Sequence, residues 1–335
     1  MTRTQTAPAP SKPTLLIVSN EIKPAGPDGK FNARHAVRTL IEAGRASGFR
    51  IVAAPFDQFH FELRRSESQP RILLGTSMVR ADAAIIRITG PSIAAARMLD
   101  RSLRAQGCVM LDPYERFSGS ALGKAELLMQ VQGKGCDSDR VIALTLKDLE
   151  RRIRQHDFGS GLKLVVKPTD GYGGTMVRWV DGTEASIGAA LDMARSIKGL
   201  MPPMIIEPAL DVRAEYRVYT LDMEMLGAAR RIAEGPDRPA NASQGAELVE
   251  ERPPQAVLDA IARVPTGGLI GWDVALTGGG SAIIIERNRP PSWRHFAAVS
   301  DVDISGAVVA HLKAKVGDHR VKGADSIEIR ETPRA

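Results

Sequence analysis

Cysteine, aromatic side chains and long apolar runs are all scarce in this chain of 335 residues. Only two cysteines occur, Cys108 and Cys136, and neither belongs to a CxxC pair. That excludes a disulfide framework or a thiolate metal site and fits a reducing, cytoplasmic setting. Aromatic residues make up 4% of the chain, too few for the interleaved stacking platform of a single-strand nucleic-acid binder. No stretch approaches the roughly 18 consecutive apolar residues that span a bilayer. The first thirteen residues are polar and proline-rich, lack the apolar block of a signal peptide, and read as a disordered lead-in. The six histidines (His35, His60, His156, His295, His311, His319) show no ligand spacing.

Positive charge, by contrast, is unevenly placed. Of the net charge of +6, all is accounted for between Arg34 and Arg104, where twelve arginines face six acids and no lysine occurs. Such a segment attracts anions in general, whether a nucleotide, an acidic peptide or a polyphosphate. Nucleic acid is not the expected partner, and a solvated helix surface would carry the same charge.

Hydrophobic periodicity divides residues 14–317 into three stretches. Over 14–115, strands at Leu15–Val18, Ile51–Ala54, Ala83–Ile88 and Val109–Leu111 alternate with helices at Ala33–Ser47 and Ser92–Gln106. This order predicts an open parallel α/β domain. Residues 116–200 form a small α+β unit with helices at Gly119–Val131, Leu146–His156 and Glu184–Lys198. Its strands are expected at Val141–Leu144, Lys163–Pro168 and Met176–Val180. Residues 201–317 are strand-rich and predict an antiparallel sheet. Strands are expected at Met204–Ile206, Tyr216–Leu221, Met225–Ile232, Leu269–Leu276 and Ser281–Arg287, with helices at Pro254–Val264 and Asp303–Val316. Residues 318–335 read as a charged tail.

Two segments carry chemistry. In Leu164-Val165-Val166-Lys167-Pro168-Thr169-Asp170-Gly171-Tyr172-Gly173-Gly174 an apolar strand delivers a lysine, and a loop rich in glycine follows. Glycines let backbone N–H groups approach phosphate oxygens, and the lysine adds a point charge; a plain hairpin with a solvated lysine fits the same letters. In Ile283-Ile284-Ile285-Glu286-Arg287-Asn288, strand alternation puts Glu286 and Asn288 on one face. Asp273, on the facing strand of the Thr277-Gly278-Gly279-Gly280 hairpin, can join them as a third oxygen ligand for a hard cation; an ordinary strand end with satisfied polar residues is the plainer alternative. Gly119–Lys124 is one residue short of a Walker A loop and lacks the Ser/Thr after lysine. The loop at 171–174 does not open a helix after the first strand, as a dinucleotide fingerprint must.

Together these segments resemble the ATP-grasp family, in particular prokaryotic glutathione synthetase and the glutamate ligase that extends a ribosomal protein's tail. Lys167–Gly174 resembles its KPxxGxGG segment, and Gly271-Trp272-Asp273-Val274 with Glu286-x-Asn288 resembles its magnesium-binding end. Further matches follow in order: Ala84–Ile88, a strand carrying an arginine, Arg87, at the end of the family's N-terminal domain; Gly123–Leu128, with the first nucleotide lysine; Glu207-Pro208-Ala209, the adenine hinge; Glu215-Tyr216-Arg217-Val218; and Asn241–Gly245, a loop at the phosphates. The resemblance covers about residues 14–316. It departs after Asn288, where Arg-Pro-Pro-Ser-Trp stands in place of a small residue and Ser-Pro, and at Gly133–Ser138, where a proline-rich stretch is usual.

The resemblance implies an α/β ATP-grasp fold and an ATP-dependent carboxylate–amine ligase working through an acyl-phosphate, with release of ADP and phosphate. A kinase on the same scaffold, or a nucleotide-binding module without turnover, are the alternatives. It implies that Lys124 and Lys167 contact the α- and β-phosphates, that Glu207 and the hinge backbone at Ala209 read adenine, and that Glu215 holds the ribose. Asp273, Glu286 and Asn288 would bind one or two Mg²⁺ ions, for which Mn²⁺ is a substitute. Arg217, Arg231 (or Arg230) and Asn241 would act on the transferring phosphoryl group, and Gly171, Gly173 and Gly174 would form a lid. Small-molecule or peptide substrates, anionic in view of the basic first domain, are expected, as is a homodimer or homotetramer. Trp272 and Trp293 read as packing residues.

Overall fold

The computed structural model describes residues 12–23, 32–87, 93–113, 124–155, 161–169, 176–198, 201–232 and 247–325. The chain divides into two compact units, one made of 1–118 with 303–335 and the other of 119–302.

In the first unit four parallel strands are ordered Arg50–Ala54, Thr14–Ser19, Ala83–Arg87, Val109–Met110. The two central strands are buried at every position, which explains why they read as unbroken apolar runs rather than as alternating ones. Helix His35–Ala46 buries Ala36, Val37, Leu40, Ile41 and Gly44, a stripe at helical spacing. It stops at Gly48, whose φ of +86° only glycine adopts readily, while the Phe49 N–H returns to Gly44 O at 3.0 Å and caps the end. Helix Ile93–Ala105 buries Leu99 and Leu103 in the same way. An antiparallel meander of Phe59–Glu62, Arg71–Leu74 and Ser77–Met78 was not expected from sequence. Its strands are two to four residues long and only Phe59 and Ile72 are buried in them, so no period could emerge.

The last helix corrects the linear reading. It runs Ile304–Asp325, taking in residues 318–325 that were expected as tail. It also belongs to the first unit, not to the strand-rich stretch before it. There it packs on helix His35–Ala46, with Ser305 Oγ 2.7 Å from Thr39 Oγ1 and Lys313 Nζ donating to Ser47 O at 2.9 Å.

The second unit holds two antiparallel sheets. The smaller is ordered Val141–Ala143, Met204–Pro208, Leu164–Pro168, Arg178–Val180. Its Leu164, Val166, Val180, Met204 and Ile206 form one core with Leu149 and Ile153 of helix Leu146–Gln155 and Ile187, Ala190 and Leu191 of helix Glu184–Arg195. Strand Met204–Pro208, grouped from sequence with the C-terminal stretch, lies in the middle of this sheet. The larger sheet is ordered Glu247–Glu250, Glu224–Ile232, Val212–Leu221, Leu269–Thr277, Ala282–Asn288. One face, with Tyr216, Val218, Trp272, Val274 and Ile284, is packed with Leu127 and Val131 of helix Lys124–Val131 and with Val257, Ala260 and Ile261 of helix Gln255–Ala262. Helix Lys124–Val131 therefore serves the larger sheet, although its sequence neighbours on the C-terminal side serve the smaller one. Chain adjacency does not determine which apolar face a helix covers; complementary burial does.

Candidate active site

Each sheet turns one face to its core, and the other face carries the charged residues. In the smaller sheet Val165 pairs with Glu207 and Lys167 with Ile205, so Lys167 and Glu207 are diagonal neighbours on the face opposite the core. Lys167 Nζ donates to Glu207 Oε1, and Arg140 Nε donates to Glu207 Oε2 at 2.6 Å. Arg140 reaches it because pairing of Val141 with Ile206 places the preceding residue beside Glu207. All three side chains are largely buried, at 8%, 7% and 12% exposure for Arg140, Glu207 and Lys167. Burial pushes the Glu207 carboxyl up, but the charges of Lys167 and Arg140 outweigh it and hold the group below the usual carboxylate range.

At the expected adenine hinge, Pro208 has no N–H and the Ala209 N–H donates to Lys163 O at 2.8 Å. The two backbone donors that could read a base edge there are thus absent and internally used, respectively. Both Glu207 oxygens are likewise engaged by cations, where an adenine contact was expected.

In the larger sheet the pairs Arg217 with Asp273, Glu215 with Arg231, Asp273 with Glu286 and Gly271 with Asn288 set six polar side chains on one face. Asp273 is 3% exposed. Its Oδ1 lies 2.5 Å from Arg217 Nε and 2.9 Å from Arg231 Nη2, and its Oδ2 accepts from Arg217 Nη2 at 2.9 Å and Asn288 Nδ2 at 3.1 Å. Arg231 also donates to Glu215. Two guanidinium and two carboxylate groups balance, as a buried cluster must. Burial pushes the Glu215 carboxyl above its usual range despite Arg231; burial opposes the charge on Arg231, yet Asp273 and Glu215 raise its pKa. Of the two neighbouring arginines only Arg231 joins this cluster. Arg230 pairs across the sheet with Tyr216 and meets Glu251 at 3.7 Å.

A β-bulge arranges the hairpin. Asp273 faces Glu286, but Val274 faces Ile284, so Ile285 is an extra residue on that strand. Strict alternation would have put Ile284 and Glu286 on one face; the bulge sends Ile284 to the core, at 0% exposure, and Glu286 to the polar face. Glu286 lies 3.6 Å from Lys124 Nζ at the start of helix Lys124–Val131. Gly271 sits in the middle of this arrangement for lack of space. A Cβ there would lie 2.9 Å from Pro291 Cβ and 3.0 Å from Arg217 Nη1, so its bare backbone leaves room for Arg217 to reach Asp273. Trp272 is fully buried and donates to Thr220 Oγ1 at 2.9 Å, and Trp293 is 2% exposed, so both are packing residues.

Among the described residues no group of three His, Cys, Asp or Glu side chains gathers as a metal site. The expected set is two carboxylates and an amide, Asp273, Glu286 and Asn288, and their chemistry fits a hard divalent cation. Asp273 Oδ1 is held by the Arg217 and Arg231 guanidinium groups, and the Asn288 N–H spent on Asp273 leaves the amide oxygen as the atom a cation would take. Asn241, Gly171, Gly173 and Gly174 lie outside the described residues. Arg140, the Ile285 bulge and the role of Gly271 were missed from sequence. A lone arginine before a short strand carries no signal, and three successive isoleucines conceal which one is extra.

No family model matches the chain. A probable alpha-L-glutamate ligase of Shewanella halifaxensis (strain HAW-EB4) is 22% identical, over 84% of this chain and 60% of the relative. One from Shewanella pealeana (strain ATCC 700345 / ANG-SQ1) is 22% identical over the same shares. The chain thus spans about 60% of the length of the curated relatives it matches. Among solved structures, D-alanyl-alanine synthetase A from Vibrio cholerae O1 biovar eltor aligns with a TM-score of 0.66 at 14% identity, over 92% of this chain and 100% of that one. The ATP-grasp ligase PsnB in complex with a minimal precursor aligns at 0.65 and 16% identity, over 91% and 99%. At such identities the likeness is one of fold, and the chain has the fold these proteins share.

Proposed function

We propose that this chain, an ATP-grasp protein by its fold, is a magnesium-dependent ligase that joins a carboxylate to an amine at the expense of ATP. The observation that carries the reading is the polar face of the larger sheet. There a bulge and four paired strands bring Asp273, Glu286, Asn288, Arg217 and Arg231 together, with Lys124 on Glu286.

Lys124 and Lys167 would neutralise nucleotide phosphates, each exchanging a protein carboxylate for a phosphate oxygen. Asp273, Glu286 and Asn288 would hold one or two Mg²⁺ ions, with Mn²⁺ as a substitute. When bound, the metal supplies charge neutralisation on the phosphates. Arg217 and Arg231 are fixed by buried carboxylates and so present pre-oriented guanidinium groups to the phosphoryl group as it passes to the carboxylate substrate. The mixed anhydride formed there is opened by the amine, which becomes the amide as phosphate leaves. No protein nucleophile is required; positioning and fixed charge do the catalysis. Glu215 supports this set through Arg231, while Asn241 and Gly171, Gly173 and Gly174 would cover the phosphates. The substrates are small molecules or peptides, of anionic character in keeping with the arginine-rich first unit.

The test is release of ADP and phosphate from ATP and Mg²⁺ with pooled amino acids and short peptides, comparing wild type with Glu286→Gln. Ligation gives both products only when a carboxylate and an amine are present, and Glu286→Gln abolishes it. ADP without phosphate would mean phosphoryl transfer to an acceptor instead, and no turnover despite nucleotide binding would reject the ligase reading.

A further inference from the structure

Glu207 holds two cations, and the second of them, Arg140, has no role in the function proposed above. The cluster of Arg140, Glu207 and Lys167 carries two positive charges and one negative in a largely buried place. Uncompensated buried charge is costly, so a surplus cation calls for an anion. If the Lys167 ammonium moves to a phosphate oxygen, Glu207 would be left ionised and buried with no partner unless a second cation stays behind. Arg140 is placed to be that cation: its Nε is on the Glu207 oxygen that Lys167 does not use, and it is fixed at the end of strand Val141–Ala143 next to the pairing of Val141 with Ile206.

We propose that Arg140 is a positioning residue for nucleotide binding, retaining the Glu207 carboxylate so that Lys167 can exchange Glu207 for a phosphate. The inference rests on the proposed role of Lys167. Arg140 acts through Glu207, not on the nucleotide. Without it, Lys167 stays locked on Glu207 as that carboxylate's sole cation, and nucleotide affinity falls although Lys167 itself is intact. Lysine at position 140 would keep the charge but lose the planar donor geometry, so it should restore part of the affinity. The same logic gives a pH signature. With only one cation beside it, Glu207 protonates at higher pH, and the acid limb of nucleotide binding moves upward.

The experiment is calorimetric titration of the full chain with Mg²⁺ and a non-hydrolysable ATP analogue across pH 5–8. The proteins are wild type, Arg140→Gln, Arg140→Lys, Glu207→Gln and the double variant Arg140→Gln/Glu207→Gln. Thermal melting without nucleotide checks that each variant is folded, and Arg140→Lys serves where Arg140→Gln is not. We expect Arg140→Gln to weaken binding by about 10-fold or more, in line with the loss of one charge-assisted hydrogen bond. We expect Arg140→Lys to recover part of that and to shift the acid limb less. The double variant should bind no more weakly than Glu207→Gln, since a residue acting through Glu207 has nothing to hold once that charge is gone. Wild-type binding with Arg140→Gln and Arg140→Lys unchanged, or additive losses in the double variant, overturns the inference and leaves the ligase reading standing. Absence of nucleotide binding by wild type overturns both.

Discussion

Asp273 and Glu286 face each other across one strand pair, yet replacing them should have very unequal consequences for stability. Asp273 is 3% exposed and receives two guanidinium groups and an amide. Asp273→Asn removes one of two negative charges facing Arg217 and Arg231 and leaves a buried excess of one positive charge. Breaking a buried network from one side costs about 3–5 kcal/mol, and at roughly 2–4 °C per kcal/mol for a body of this size the melting temperature should fall by about 6–20 °C. The Glu286 side chain is 31% exposed and its contact with Lys124 is a loose 3.6 Å. A pair of this kind contributes about 1 kcal/mol or less, so Glu286→Gln should melt within about 4 °C of wild type. Both substitutions remove a proposed metal ligand, so both should abolish turnover. Differential scanning calorimetry without nucleotide, together with phosphate release, separates the two effects. If Asp273→Asn melts within 2 °C or so of wild type, the buried-charge account of the cluster is wrong. If Glu286→Gln destabilises as much as Asp273→Asn, the division of the hairpin into a structural and a catalytic carboxylate is refuted.

Gly271→Ala should cost about 1–3 kcal/mol by overpacking against Pro291 and Arg217 and lower turnover more than Gly279→Ala, where a Cβ meets only Thr277 Oγ1 at 3.9 Å; equal effects in melting and rate assays would remove the space argument. Trp272→Ala, in the centre of the larger sheet's core, should cost about 3–5 kcal/mol in denaturant melts. Glu207, held below its unfolded pKa by Lys167 and Arg140, contributes stability that is present above the unfolded value of 4.5 and is lost as pH falls through the lower, folded value. Wild type should therefore lose melting temperature more steeply below about pH 4.5 than Glu207→Gln does, and parallel curves would contradict the assignment. Cys108 and Cys136, both buried, should resist thiol reagents in the native protein; burial pushes the Cys108 thiol up to about 12, and rapid labelling without unfolding would contradict its placement.

The two central parallel strands of the first unit were legible because they are buried on both faces and bounded by turn residues, and helices with one apolar stripe were legible by their period. The lysine at the end of strand Leu164–Pro168 and the acid–amide pair Glu286 and Asn288 were legible as candidates because local spacing alone puts a lysine at a strand end and an acid and an amide on one strand face. Whether Arg230 or Arg231 joins the site was not, since adjacent residues on a strand differ only in the face they take. That choice is fixed by the pairing of Glu215 with Arg231.

The sequence by itself determined what depends on neighbours within a few residues. These are the order of the longer strands and helices, the Thr277–Gly280 turn, and the chemical character of Lys124, Lys167, Glu207, Asp273, Glu286 and Asn288. Tertiary structure alone decided what depends on distant partners. It assigned Met204–Pro208 to the smaller sheet and helix Ile304–Asp325 to the first unit, inserted Ile285 as a bulge, and set Arg140 on Glu207 across 67 residues. The physical reason is common to these cases. A local pattern fixes which side of an element is apolar, but the partner that covers that side, and the counter-charge a buried group receives, are settled only when the whole chain has packed.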